Sequence, residues 1–384
     1  MNSPQQTVLL GAPKEVALAA LEQELTQLWK ETESSRADSF HPVVRACTMN
    51  LIVVTEDEQG ADAVAAMVGE VTMEHPARIL LAVLDRRANE SSLNAWISAR
   101  CAIPEPGQEQ VCSEQITLVA RGEDVGKIAS SVTSLLVPDV PTVLLWKTSV
   151  RTSDPVLRSL LAISDRAMID SSEELAPLPT LLAWGALARE GSETATLGDL
   201  GWTHATAWRA VLAKAFEPVE VRRFLYATDT VVVEYSASTT PRHSGFSQAL
   251  LLTAWLAHVL EWRNKGIPCE VRGGSVSFSF FRQENMVSVQ LNPVASPANE
   301  PGGIERMTIG AGAGFSIELQ EGEPRSEIVM TETRGGHKKE CVVPLRTLSE
   351  SELMADELEI LQRDEQYEQA LNTLAAVVAG EGKP

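Results

Sequence analysis

Leu51-Ile52-Val53-Val54-Thr55, followed by Glu56-Asp57-Glu58-Gln59-Gly60, decides how the first half of the chain folds. A short apolar run without polar alternation is the pattern of a strand covered on both faces, as parallel sheets require. Ala61, Val64, Met67, Val68 and Val71 then recur at three- and four-residue steps and mark one face of a helix. The alternation continues outward. Ile79–Leu84 and Ile116–Ala120 predict further strands, a helix follows from about Val125 to Leu136, and Pro141–Trp146 predicts a fourth strand. A helix near 155–162 precedes Ala167–Ile169. The expectation is an α/β domain over 46–172, with a mostly parallel sheet covered by helices. The turn after the first strand lacks G-x-G-x-x-G, and its acidic residues repel a pyrophosphate, which disfavours dinucleotide binding.

Ahead of this domain, Pro13 suits a first helical position, and Leu18, Leu21, Leu25, Leu28 and Trp29 form one stripe. An amphipathic helix over 13–33 is expected within an N-terminal arm, 1–45, packed on its own domain or on another subunit. A homo-oligomer therefore stays open.

The second half is organised around Asp199-Leu200-Gly201-Trp202-Thr203-His204-Ala205-Thr206-Ala207-Trp208-Arg209 and its continuation to Glu217. Thr203 or Thr206 is the expected helix cap. Trp208, Val211, Leu212, Ala215 and Phe216 share one face, and Pro218 stops the helix. Helices are expected over 173–190, 203–216 and 246–264, with a strand at Thr230–Ser236. From Val276 the period becomes two, which predicts antiparallel strands up to Val343. Residues 173–348 thus read as an α+β domain. The last segment, 349–384, reads as one acidic helix over 349–378 with an apolar second half, opened by Ser349 and Glu352 at capping-box spacing, and a short tail.

The chain has 384 residues and a net charge of −20, so nucleic acid and anionic membrane are unfavourable partners. The longest apolar run, Ala249 to Leu260, is shorter than the roughly 18–20 residues a membrane span needs. The N-terminus carries no basic-then-apolar signal pattern. Five scattered cysteines suggest a reducing compartment and a cytoplasmic protein. Small buried hydrophobes are the expected reading for all five, although Cys101 and Cys112 flank a Pro-rich loop and can pair under oxidation.

No nucleophile elbow, metalloprotease helix or Walker lysine is present, and the six histidines lack metal-ligand spacing. No catalytic residue, cofactor or metal is assigned. Gly310-Ala311-Gly312-Ala313-Gly314 precedes a strand pattern, so it reads as a bend between strands.

The residues from Asp199 to Phe216 resemble a pattern of the OpcA family, Asp-Leu-x-Trp-Thr-Arg-Leu-x-x-Trp-Arg, with His204 where the family usually has Arg, Ala205 where it has Leu and, just beyond, Glu217 where it has Asp. Four further stretches extend the resemblance. They are His75-Pro76-Ala77-Arg78, Pro138-Asp139-Val140-Pro141 through Trp146, Asp165-Arg166 with Asp170-Ser171, and Ala249-Leu250-Leu251-Leu252-Thr253-Ala254-Trp255-Leu256-Ala257 with Trp262. The resemblance covers roughly 46–345 and implies a non-catalytic protein that assembles or activates glucose-6-phosphate dehydrogenase. The residues placed at a partner surface are Asp199, Trp202, His204, Trp208 and Arg209, although most of each indole is expected to be buried. Arg78 and Arg166 are the candidates for an anion crevice in a sugar-phosphate-sensing module. The competing expectation is that they form structural ion pairs. An enzyme whose site assembles only in the fold is the remaining alternative.

Overall fold

The computed structural model describes residues 7–9, 12–35, 43–56, 60–102, 110–174, 176–190, 195–237, 245–295, 302–322, 325–346, 348–360 and 362–379. In chain order the elements begin with β1 (Thr7–Leu9), β2 (Lys14–Val16), α1 (Leu21–Ser35), β3 (Val43–Arg45), β4 (Met49–Thr55), α2 (Ala61–Glu74), β5 (Ala77–Asp85), β6 (Ser92–Ala102), β7 (Gln110–Arg121) and α3 (Ile128–Ser134). Next come β8 (Thr142–Lys147), α4 (Pro155–Leu161), β9 (Arg166–Ile169), α5 (Pro177–Arg189), β10 (Thr196–Asp199), α6 (Leu200–His204), α7 (Thr206–Ala215) and α8 (Val219–Leu225). The chain continues with β11 (Thr230–Ala237), α9 (Phe246–Val259), β12 (Glu270–Arg272), β13 (Ser275–Arg282), β14 (Asn285–Ala295), β15 (Ile304–Gly310), β16 (Phe315–Glu321), β17 (Glu327–Arg334), β18 (His337–Pro344), α10 (Glu350–Leu358) and α11 (Glu365–Ala379). They form two compact units: Met1–Ile169 with Gly191–Gly198 and Glu350–Gln362, and Asp170–Glu190 with Asp199–Ser349 and Arg363–Pro384.

The first unit is built on a ten-stranded sheet of order β1-β6-β7-β5-β4-β8-β9-β10, with β2 paired to β6 and β3 to β7. Every residue of β4 is buried, which the unbroken apolar run demands. The β7-β5-β4-β8-β9 core is parallel. Sequence periodicity misses β6, which runs antiparallel to β7 and carries β1 and β2 on its other edge. Its inward residues Ala95, Ile97, Ala99 and Cys101 alternate correctly, but alanines give a weak signal. The sheet is therefore mixed at one end.

The N-terminal helix begins at Leu21, not near Pro13, because Lys14–Val16 pair with Ala95–Ile97 as strand β2. Leu21, Leu25 and Trp29 are buried, and Trp29 packs against Ala99, Cys101 and Cys112. The arm thus packs on its own unit. Cys101 and Cys112, opposite each other on β6 and β7, form a disulfide, contrary to the expectation of free thiols. Both lie in the core, whereas Cys47 and Cys269 are half-buried and Cys341 is exposed, so these three are not the buried hydrophobes expected.

The second unit holds an eight-stranded sheet, β12-β13-β14-β11-β15-β16-β17-β18. Its strands are antiparallel except for the parallel β11–β14 pair. Gly273-Gly274 and Gly335-Gly336 have φ between +56° and +87°, the left-handed geometry that a two-residue hairpin turn needs. Helix α9 packs on β11, β14 and β15 and against α5, α6 and α11. It is buried nearly throughout from Ser247 to Ala257, as a helix apolar on every side must be. It ends at Val259 rather than near 264. Trp262 N–H donates to Ala257 O at 2.8 Å and Glu261 N–H to His258 O at 3.1 Å, with Glu261 at φ 55°. These are the two bonds of a Schellman stop. The acidic tail is two helices, α10 and α11, rather than one.

Candidate functional site

The Asp199–Arg209 segment is folded inward. Asp199, not Thr203 or Thr206, caps α6: its Oδ1 accepts from Gly201 N–H at 2.9 Å and from Ser171 N–H at 3.0 Å. Its Oδ2 accepts from the Tyr367 hydroxyl at 3.2 Å. Burial pushes the Asp199 carboxyl up to about 7 despite the two backbone donors. A Cβ on Gly201 would lie 2.6 Å from Ser171 Oγ, so the turn is closed around glycine.

Trp202 donates its indole N–H to Asp364 Oδ2 at 2.7 Å and packs 5.6 Å from the Tyr367 ring. The Arg209 guanidinium carbon lies 3.4 Å from the Trp202 ring centroid, while Nη1 donates to Trp202 O at 2.7 Å. His204 Nδ1 lies 2.7 Å from Gln248 Nε2 on the buried face of α9, and burial lowers the imidazole pKa. With Nε2 of the glutamine donating, Nδ1 is the acceptor and the ring is neutral. Trp184, Trp202 and Trp208 are all buried, as expected. The segment ties α6 to the Ser171 turn, α9 and α11, and its two tryptophans do not reach the surface. Pro218 ends α7 as expected and is followed at once by α8.

Arg78 and Arg166 are buried at the amino ends of β5 and β9. Arg78 donates to Glu114 Oε2 at 2.9 Å, Glu22 Oε1 at 2.7 Å and Leu135 O at 2.9 Å. Glu114 also receives Trp29 Nε1 and Arg45, each at 2.6 Å, so one buried carboxylate fastens α1, β3 and β5. Arg166 pairs with the buried Glu357 of α10 and donates to Thr196 Oγ1 at 3.3 Å. Gly198 makes room for that pair: a Cβ there would stand 1.9 Å from Glu357 Oε1. The two arginines are not brought together around a shared cavity. They occupy the edge opposite the one where open parallel sheets take ligands.

The carboxyl edge of the same sheet carries what periodicity does not reveal. Strand order reverses at β4, with β5 on one side and β8 on the other, and their ends open into a cavity of about 490 Å³. Thr55, Glu56, Asp85, Arg86, Arg87, Lys147 and Arg151 line it with Leu84. The cations come from two segments about sixty residues apart in sequence, so no local basic run announces them.

His258 on α9 and His337 on β18 are exposed. His41 and His243 lie outside the described residues. Within each unit, the described residues bring no three ligand atoms of His, Cys, Asp or Glu together. No described helix is long and apolar enough to cross a membrane.

Two family models match in chain order. The glucose-6-phosphate dehydrogenase subunit N-terminal domain covers residues 68–186, and the corresponding C-terminal domain covers 195–371. The OxPP cycle protein OpcA of Synechococcus elongatus is 24% identical over 82% of this chain and 70% of its own length. Its namesake in Nostoc punctiforme is 24% identical over 69% of this chain, a match spanning 55% of that relative; for the Synechocystis protein the figures are 27%, 50% and 38%. Among solved structures, an oxidoreductase domain protein from Kribbella flavida aligns with a TM-score of 0.44 at 10% identity, over 88% of this chain and 97% of that one. A 3-ketoreductase from Actinomadura kijaniata aligns with 0.45 at 10% identity, over 87% and 97%. With both domain models matched in order across most of its length, and the Asp199–Arg209 motif built into its core, the chain belongs to the OpcA family.

Proposed function

We propose that this protein is a non-catalytic partner of glucose-6-phosphate dehydrogenase that promotes the assembly or active state of that enzyme. The observation that carries the reading is the ordered match of the two dehydrogenase-subunit domain models over 68–186 and 195–371. The mechanism is a population shift: binding the active arrangement of the enzyme more tightly than the idle one favours it, at about 1.4 kcal/mol per tenfold preference.

The surface assigned to the contact is the outer face of the eight-stranded sheet. Helix α9 packs on the other face at β11, β14 and β15. Across the outer face, register aligns Ser277, Gln290, Val232, Thr308, Glu318, Thr331 and Glu340 in one row. Met286 and Val342 add exposed apolar area at 55% and 53% accessibility. Seven long strands at 4.7–4.9 Å spacing make a face of about 30 Å by 25 Å, or roughly 750 Å², close to one side of a standard interface. Trp202 and Trp208 are buried within the unit and do not touch the partner in this reading.

Size-exclusion chromatography of the chain mixed with the dehydrogenase of the same organism tests the reading. Co-elution and a changed substrate-saturation curve are expected; separate elution with unchanged kinetics overturns it.

A further inference from the structure

We propose that the cavity at the carboxyl ends of β4, β5 and β8 binds a phosphorylated sugar, with Arg87 and Arg151 holding the phosphate and Glu56 and Asp85 receiving sugar hydroxyls. The location is the first argument. Where strand order reverses in an open parallel sheet, diverging connections leave a crevice beyond the strand ends, and here it measures about 490 Å³. That volume lies within the usual range for small-molecule sites.

The disposition of charge is the second. Arg86 is committed: it donates to Glu56 Oε1 at 3.0 Å and to Asp154 Oδ2 at 2.6 Å. Lys147 is committed to Glu350. Asp85 Oδ1 accepts from the backbone N–H groups of Arg87 and Ala88, each at 3.1 Å, which holds the loop after β5 in place. The Arg87 and Arg151 side chains, in contrast, have no ion-pair or hydrogen-bond partner among the described residues. In a chain of net charge −20, two uncommitted guanidiniums facing one cavity mark a place for an anion, and the planar fork matches phosphate oxygens.

The carboxylates narrow the ligand. Glu56 and Asp85 share the lining with the two arginines. That setting repels a pyrophosphate. It suits one phosphate joined to a polyol whose hydroxyls donate to carboxylate oxygens.

Titration calorimetry of the full chain without any dehydrogenase tests this independently of the partner reading. The probes are glucose 6-phosphate and ribose 5-phosphate, with glucose and inorganic phosphate as comparators. Saturable binding of at least one sugar phosphate is expected, tighter than either comparator. The Arg87→Ala/Arg151→Ala double variant should weaken it at least about tenfold. Arg272→Ala, at an exposed arginine of β12 in the other unit, should leave it unchanged. Thermal unfolding of the double variant should match the parent, since neither side chain has a partner to lose among the described residues. Three results overturn the assignment: no saturation below about 10 mM, undiminished binding by the double variant, or inorganic phosphate binding as tightly as the sugar phosphates.

Discussion

The Tyr367 hydroxyl lies 3.2 Å from Asp199 Oδ2, joining the start of α11 to the cap of α6 across 168 residues of sequence, with both side chains fully buried. Around this contact Asp199 caps a helix, receives Ser171 N–H and sits in a site that favours its neutral form. Asp199, at the start of the family motif, thus joins three segments of its unit through buried hydrogen bonds.

Its pH behaviour follows. Burial raises the Asp199 carboxyl from an ordinary 3.8 to about 7. Between those values the folded chain keeps a proton that the unfolded chain releases, so the native state binds more protons and stability falls as pH rises. At about 1.4 kcal/mol per pH unit, up to roughly 4 kcal/mol is lost between pH 4 and pH 7. Asp199→Asn keeps the acceptor for Gly201 and Ser171 and mimics the neutral form. Urea unfolding at pH 5 and pH 8 should show a flatter profile for the variant. Parallel profiles for the two proteins would refute the assignment.

Gly198 and Glu357 form a second close relationship. Gly198→Ala places a methyl 1.9 Å from Glu357 Oε1 and 3.1 Å from Arg166 Nη2. Glu357→Gln leaves Arg166 charged, buried and without its carboxylate, at an expected cost of about 3–5 kcal/mol. Both variants should unfold at clearly lower denaturant concentration. A midpoint within error of the parent for Glu357→Gln would show that the pair is dispensable.

Arg209 and the outer sheet face separate structural residues from contact residues. Arg209→Ala removes the stack on Trp202 and the bond to its carbonyl, and should lower stability by about 1–2 kcal/mol. Its affinity for the dehydrogenase, measured by biolayer interferometry, should stay within about twofold of the parent. Gln290→Arg with Glu318→Arg on the outer face should do the reverse, with an unchanged melting temperature and binding at least about tenfold weaker. Weak binding by Arg209→Ala at unchanged stability would move the contact to α7.

The disulfide closes a short connection. Cys101 and Cys112 are eleven residues apart, and cross-linking a loop of that length is worth about 3 kcal/mol in the chain-entropy account. Cys101→Ser/Cys112→Ser should therefore melt several degrees below the oxidised parent. Dithiothreitol should lower the parent toward the variant and leave the variant unaffected.

By itself the sequence determined the local periods: the unbroken apolar run of β4, the helical stripe of α2, the stripe of Trp208, Val211, Leu212 and Ala215, and the alternation of β13 to β17. These are nearest-neighbour properties, because a side chain's face depends only on its spacing from the next. The ordered family motifs were equally legible, and they pointed to the right family. What only the tertiary structure decided needed residues distant in the chain. Alternation in β6 is diluted by alanine, and it becomes a strand because β7 and β2 supply its hydrogen bonds. Asp199 acts as the cap through Ser171 and Tyr367, and Arg78 is neutralised by Glu114 and Glu22. Arg87 and Arg151 meet at one cavity because the sheet reverses its strand order between them, and no spacing along the chain encodes that reversal.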